Sequence, residues 1–144
     1  MVSISELALA SSGAYLAGRQ AISDYNFVTA SKFQTQSVSA DPANSKLLEG
    51  LMISFIAQGS VDEAVSIAEV YKDTGSESQI SQMVLLASMI KDGQTETFLN
   101  FVKNASEITP ILKDLLSAWI RMGLDDEVNA NRIFDKTAKV QGMG

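Results

Sequence analysis

Turn signals recur along this chain in two interleaved series that share one period. The first series is Asp41-Pro42, Gly75-Ser76 and Thr109-Pro110, with Pro42, Ser76 and Pro110 spaced by 34 and 34 residues. The second is Tyr25-Asn26, Gly59-Ser60, Gly93-Gln94 and Gly123-Leu124, spaced by 34, 34 and 30. A fixed period of this size marks a repeat architecture. The stretches between turns run to roughly 12–17 residues, a helix length rather than a strand length.

The stretches also carry helix periodicity. Leu48, Leu51, Met52 and Phe55 recur at the three- and four-residue spacing of one helix face. Leu85, Leu86 and Met89 do so in the third repeat, and Leu112, Leu115, Leu116 and Trp119 in the fourth. Trp119 is thereby expected in the core. The second helix of each repeat is patterned by Val61, Ala64, Val65 and Ala68, then by Phe98, Leu99 and Val102. Ser60 with Glu63 three residues on has the form of a capping box. Asp125 and Asp126 place negative charge where the last helix begins. Two helices cannot bury both apolar faces alone, whereas stacked pairs can.

Composition narrows the chemistry. The 144 residues include no Cys and no His, which removes disulfides, thiolate or imidazole metal sites and imidazole acid–base catalysis. Two prolines and nine glycines are too few for many short strands and turns. The net charge of −6 lacks the basic footprint of a nucleic-acid binder. The acidic groups Glu69, Asp73 and Glu77, and Asp125 to Glu127, fit solvated helix ends better than a metal or carboxylate-pair site. Asn104-Ala105-Ser106 fits a glycosylation acceptor, a tripeptide common by chance. No enzyme activity and no cofactor are expected. Met1 to Ala10 contain Glu6 and lack a basic start, and no apolar run is long enough to cross a bilayer. The compartment stays open: cytoplasmic, or periplasmic if an upstream signal has been removed.

A 34-residue helix–turn–helix period with a small residue in each helix resembles the tetratricopeptide repeat (TPR) family. Gly18 matches the small residue of the family's first helix, Ala30 the small residue early in the second, and Pro42 the closing proline. Tyr25-Asn26-Phe27-Val28-Thr29-Ala30 is similar to the family's Gly-Asp-Tyr-Glu-Glu-Ala turn, and Gly59-Ser60-Val61-Asp62-Glu63-Ala64 is more so. Gly93 repeats the glycine, with Phe98 in place of the small residue, and Gly123 to Val128 repeats the turn four residues early. Ala14 and Gln34 depart from the family's aromatics. Tyr15-Leu16-Ala17-Gly18-Arg19 is similar to openings in exported bacterial members.

The resemblance implies an all-α, right-handed α-solenoid of about four helix-turn-helix repeats, at residues 11–42, 45–76, 79–108 and 109–140. Residues 1–10 would form a capping segment, with Ile4, Leu7 and Leu9 covering the first repeat, and 141–144 a tail. It implies that Gly18 faces Ala30. It also implies a concave surface built from the first helix of each repeat. That selects Ser12, Tyr15, Arg19 and Ile22; Lys46, Glu49, Ile53 and Ile56; Ile80, Met83, Ala87 and Ile90; and Lys113, Ser117 and Ile120. The row Ile22, Ile56, Ile90 and Ile120 suits either an exposed binding stripe or burial by the next helix. The expected function is a non-catalytic scaffold that binds a protein or peptide; the alternative is a structural subunit that forms a homo-oligomer. The last helix carries Val128, Ile133, Phe134 and Val140, and either its polar residues or another chain must cover it.

Overall fold

The computed structural model describes residues 4–139, with side chains from Ser12 onward. Among the described residues it holds eight helices and no strand: α1 (Ile4–Ser23), α2 (Phe27–Ala40), α3 (Ser45–Ala57), α4 (Val61–Asp73), α5 (Gln79–Lys91), α6 (Thr95–Asn104), α7 (Pro110–Gly123) and α8 (Glu127–Ala138). The fold is all-α. The chain divides into two compact bodies, one up to Leu85 and one from Leu86, so the division falls inside α5. In the N-terminal body α1 packs on α2, α2 on α3 and α3 on α4. In the C-terminal body α6 packs on α7 and α7 on α8. The helix backbone is continuous from Ile4 to Ser23, so the expected capping segment runs straight into α1. The side chains of Ile4, Leu7 and Leu9, residue Val140 and the tail lie outside the described residues.

The period of the sequence is a period of local geometry. Each helix pair is joined by one residue in the left-handed region: Tyr25 (φ 56°), Gly59 (φ 85°), Gly93 (φ 70°) and Asp125 (φ 59°). In all four, the amide of that residue donates to the carbonyl three residues back, and the next amide donates five residues back. The pairs are Tyr25 to Ile22 and Asn26 to Ala21, Gly59 to Ile56 and Ser60 to Phe55, Gly93 to Ile90 and Gln94 to Met89, Asp125 to Met122 and Asp126 to Arg121. This Schellman closure satisfies the orphan carbonyls of the first helix. Five residues after the left-handed residue stands a side chain with no exposure: Ala30, Ala64, Phe98 and Ala130. Twelve residues after it stand Ser37, Tyr71, Ala105 and Thr137, all buried.

This register corrects the fourth repeat. Its turn residue is Asp125, and Gly123 is the last residue of α7. The buried residue early in α8 is Ala130, whereas Val128 is 82% exposed. Asp tolerates the left-handed region because its short polar side chain supports it locally. The glycine therefore attracted a turn assignment that the aspartate two residues later fulfils.

Two more expectations change. Ser60 makes no side-chain capping bond, so the Ser60–Glu63 box is not formed. A reciprocal box forms at the start of α5 instead, where the Ser78 amide donates to Ser81 Oγ (3.1 Å) and the Ser81 amide to Ser78 Oγ (3.2 Å). Asn26 and Asn44 cap α2 and α3 by accepting from the amides of Thr29 (3.1 Å) and Leu47 (3.3 Å). Nor does Gly18 face Ala30. A Cβ built on Gly18 would lie 3.2 Å from Gln34 Cγ, and one on Gly50 would lie 3.0 Å from Gln34 Nε2. Gln34 of α2 thus occupies the space that the two glycines leave on α1 and α3. It is only 8% exposed and its Oε1 finds no hydrogen-bond partner, a penalty that an apolar side chain of similar shape would avoid.

Leu48, Met52, Ala64, Ala68, Tyr71 and Val84 form the centre of the N-terminal body, with Val38, Phe55 and Ile80 packed against them. Full burial of a side chain the size of Leu48 or Met52 contributes roughly 1.5–3 kcal/mol. These are the residues that the three- and four-residue spacing places on one face of α3.

Tyr25 is 82% exposed and in the left-handed region, touching the ring of Phe27 edge-on at 6.4 Å. A bulky residue in that region is strained by roughly 1–2 kcal/mol, and glycine is not. Tyr25→Gly should therefore raise the melting temperature, with a net gain of about 0.5–1 kcal/mol after loss of the ring contact and the greater freedom of the unfolded chain. A fall in stability would show that the ring contact outweighs the strain.

Candidate functional site

Counting back from each left-handed residue gives equivalent positions on the first helices. Three residues before it stand Ile22, Ile56, Ile90 and Met122; six before, Arg19, Ile53, Ala87 and Trp119; ten before, Tyr15, Glu49, Met83 and Leu115. Of these twelve, Tyr15, Arg19, Ile53, Ile56, Ala87, Ile90, Trp119 and Met122 are exposed, and the other four are half-buried. The expected row is therefore apolar, with Ile22 half-buried and Ile56 and Ile90 exposed. Its fourth member is Met122, not Ile120, which is half-buried and off the register.

Trp119 is the largest correction. It is 69% exposed and stands at the register of Ile53, although its spacing from Leu115 placed it in the core. Its helix explains the error. In α7 only Ala118 is fully buried; the apolar residues fall on one broad arc, opposite Lys113, Asp114, Ser117 and Arg121, and most of them are half-buried. A spacing rule finds that arc, but it does not say which part of a broad arc a neighbouring helix covers.

Lys113 and Ser117 also leave the expected face. They line a cleft of about 380 Å³ with Leu99, Val102, Pro110 and Ile133, on the side of α7 that meets α6 and α8. Ile133 faces that cleft. The outer side of α8 is polar, with Asn131, Arg132, Asp135, Lys136 and Lys139 around the exposed Val128. Lys136 Nζ is 3.0 Å from Asp114 Oδ2 of α7.

In the N-terminal body, Tyr15 and Lys46 come together. They line a groove of about 530 Å³ between α1, the end of α2 and the start of α3, together with Ser12, Leu16, Asp41 and Leu47. The Arg19 guanidinium carbon lies 6.0 Å from the centre of the Tyr15 ring, at the outer limit of a cation–π contact. Asp41 accepts from Asn44 Nδ2 at 2.9 Å. The sequence marks Ser12, Tyr15 and Lys46 in this groove, but the contribution of Ala40 and Asp41 at the end of α2 depends on how α2 meets α3.

Among the described residues no group of three or more acidic side chains could hold a metal ion, and no helix is long and apolar enough to cross a membrane. One carboxyl group is perturbed. The Arg121 guanidinium donates to Asp126 Oδ2 at 2.8 Å, and with Asn129 Nδ2 (2.8 Å to Oδ1) it holds the Asp126 carboxyl below its ordinary range. The arrangement joins the end of α7 to the start of α8 and is a structural clasp.

The pH dependence follows from that direction. A lowered folded-state pKa means that the clasp stabilises fully above the unfolded carboxylate range and is lost as pH falls through the lowered value. Asp126→Asn should therefore melt below the parent at neutral pH, and the gap should close in acid. A gap that is constant with pH would remove the ionised clasp from the account.

The sequence matches no protein-family model and no curated protein at a significant level.

Proposed function

We propose that this protein is a non-catalytic interaction module, a divergent array of TPR-like helix pairs stacked as a right-handed solenoid, which binds a protein or peptide through its first helices. The observation that carries this is the exposure of bulky apolar side chains at two equivalent positions of the first helices: Ile53 and Ile56 in one body, Ile90, Trp119 and Met122 in the other. Exposed apolar side chains that lie together mark an interaction surface, and Ile53 with Ile56, and Trp119 with Met122, stand one turn apart on one helix. Trp is also the residue most enriched among the anchors that dominate binding energy.

Self-association is the second reading, favoured by the thin cover of α7, along which Leu112, Leu115, Trp119 and Met122 recur with none fully buried. The two readings separate in one experiment. Light scattering from micromolar to hundreds of micromolar gives a monomer in the first case and a mass that rises with concentration in the second. Trp119 is the only tryptophan, so its emission should move to shorter wavelength when a partner, or a second copy, covers it. Trp119→Glu should prevent that association without loss of helix content. A monomer whose Trp119 emission is indifferent to amphipathic peptides of either charge would sink both readings.

A further inference from the structure

The charge of this protein is unevenly placed. Of its 17 acidic residues, only Glu6, Glu49 and Asp114 lie in α1, α3, α5 and α7, the helices that carry the apolar register. Asp114 is already engaged by Lys136. Within the N-terminal body the division is partial. The exposed residues of α4 include Asp62, Glu63, Glu69 and Asp73 against the single base Lys72, whereas α1 and α3 offer the exposed bases Arg19 and Lys46 beside the half-buried Glu49. The groove of about 530 Å³ lies on the basic side, walled by Tyr15, Leu16 and Leu47, with Lys46 at its edge. Its one carboxylate, Asp41, accepts from Asn44 and so is partly spoken for.

From this we infer that the groove binds an acidic protein segment carrying one or two bulky apolar side chains. The inference deepens the interaction reading above and rests on it. The apolar walls and the size suit one or two large side chains, since pockets of about 300–1,000 Å³ hold compact ligands. Lys46 and Arg19 select the sign of the charges that flank them. An acidic chain disfavours an acidic partner over much of its surface; Arg19 and Lys46 relieve that repulsion at this groove, as Arg132, Lys136 and Lys139 do on the outer side of α8. Glu49, one turn from Lys46 on α3, is the acid that works against this selection.

The test uses three labelled peptides of equal length, with fluorescence anisotropy against the full chain. The first combines Glu with Leu on an amphipathic pattern, the second replaces every Glu by Lys, and the third keeps Glu and replaces Leu by Ser. The Glu–Leu peptide should bind, and the other two should bind at least about tenfold more weakly. Lys46→Glu should weaken the Glu–Leu peptide by about threefold to tenfold, Glu49→Gln should tighten it, and Leu16→Asp should abolish binding. Leu16, Lys46 and Glu49 all lie outside the buried core, so circular dichroism should report unchanged helix content in each variant. If the Lys–Leu peptide binds equally well and Leu16→Asp abolishes both, the acidic partner is overturned and the interaction reading stands. If no peptide binds, or Leu16→Asp and Lys46→Glu leave binding unchanged, the groove is overturned as the site. The Trp119 experiment is unaffected by either result.

Discussion

Phe98→Ala should destabilise the protein by about 3–5 kcal/mol, the range for truncating a fully buried aromatic ring. Phe98 has no exposure and stands at the position that Ala30, Ala64 and Ala130 hold in the other repeats. At those three places a methyl group is fully buried. At Phe98 a whole ring is, and removing it leaves a void that its surroundings fill only in part. A chain of this size has about 5–15 kcal/mol of stability in all, so the C-terminal body should be largely unfolded at mild denaturant concentrations. A urea titration followed by circular dichroism measures this as a shift in midpoint, provided that the slope is preserved. A change below about 1 kcal/mol would mean that the ring is not packed as described. The reverse substitution, Ala64→Phe, should also destabilise, because the site is already closed around a methyl group.

That contrast explains how much of the fold was legible. The helix pairs, their 34-residue period and the buried face of α3 follow from residues whose local preferences and tertiary roles agree: Gly59 and Gly93 in left-handed turns, Leu48 and Met52 at core spacing. The fourth repeat was misread where they disagree. Gly123 has no need of its conformational freedom at the end of α7, and Asp125 supplies the left-handed residue. That two-residue error put Ile120 in the place of Met122 and Val128 in the place of Ala130. A better marker was present. Each second helix has a polar residue four positions before its first fully buried side chain, as Asn26 before Ala30, Ser60 before Ala64, Gln94 before Phe98 and Asp126 before Ala130. Counting from that pair places Trp119 at the exposed register. The groove beside Lys46 could not be found in this way. It depends on how α1, α2 and α3 meet, where Gln34 fills the space left by Gly18 and Gly50, and no periodicity encodes that.

Tyr71→Ala is expected to cost a similar 3–5 kcal/mol, this time in the N-terminal body. Its register is held elsewhere by Ser37, Ala105 and Thr137, all buried and all small. The repeats thus place their bulk at different points along the second helix. The first uses Gln34 near the middle, between two glycines; the second uses Tyr71 near the end, after a small Ala64; the third uses Phe98 near the start, before a small Ala105. Close packing requires the space between helices to be filled, but not at the same position in every repeat. The sequences therefore diverge while the turns and the buried register persist. Tyr71 packs into the same cluster as Leu48, Met52 and Val84, so its removal opens the centre of that body rather than an edge. Tyr71→Phe retains the ring and should keep most of the stability, which separates the loss of volume from the loss of the hydroxyl group. Ala105→Tyr should destabilise, because Phe98 already supplies the bulk of that repeat. Equal stability for Tyr71→Ala and the parent, or a gain for Ala105→Tyr, would show that bulk is not exchanged between these positions.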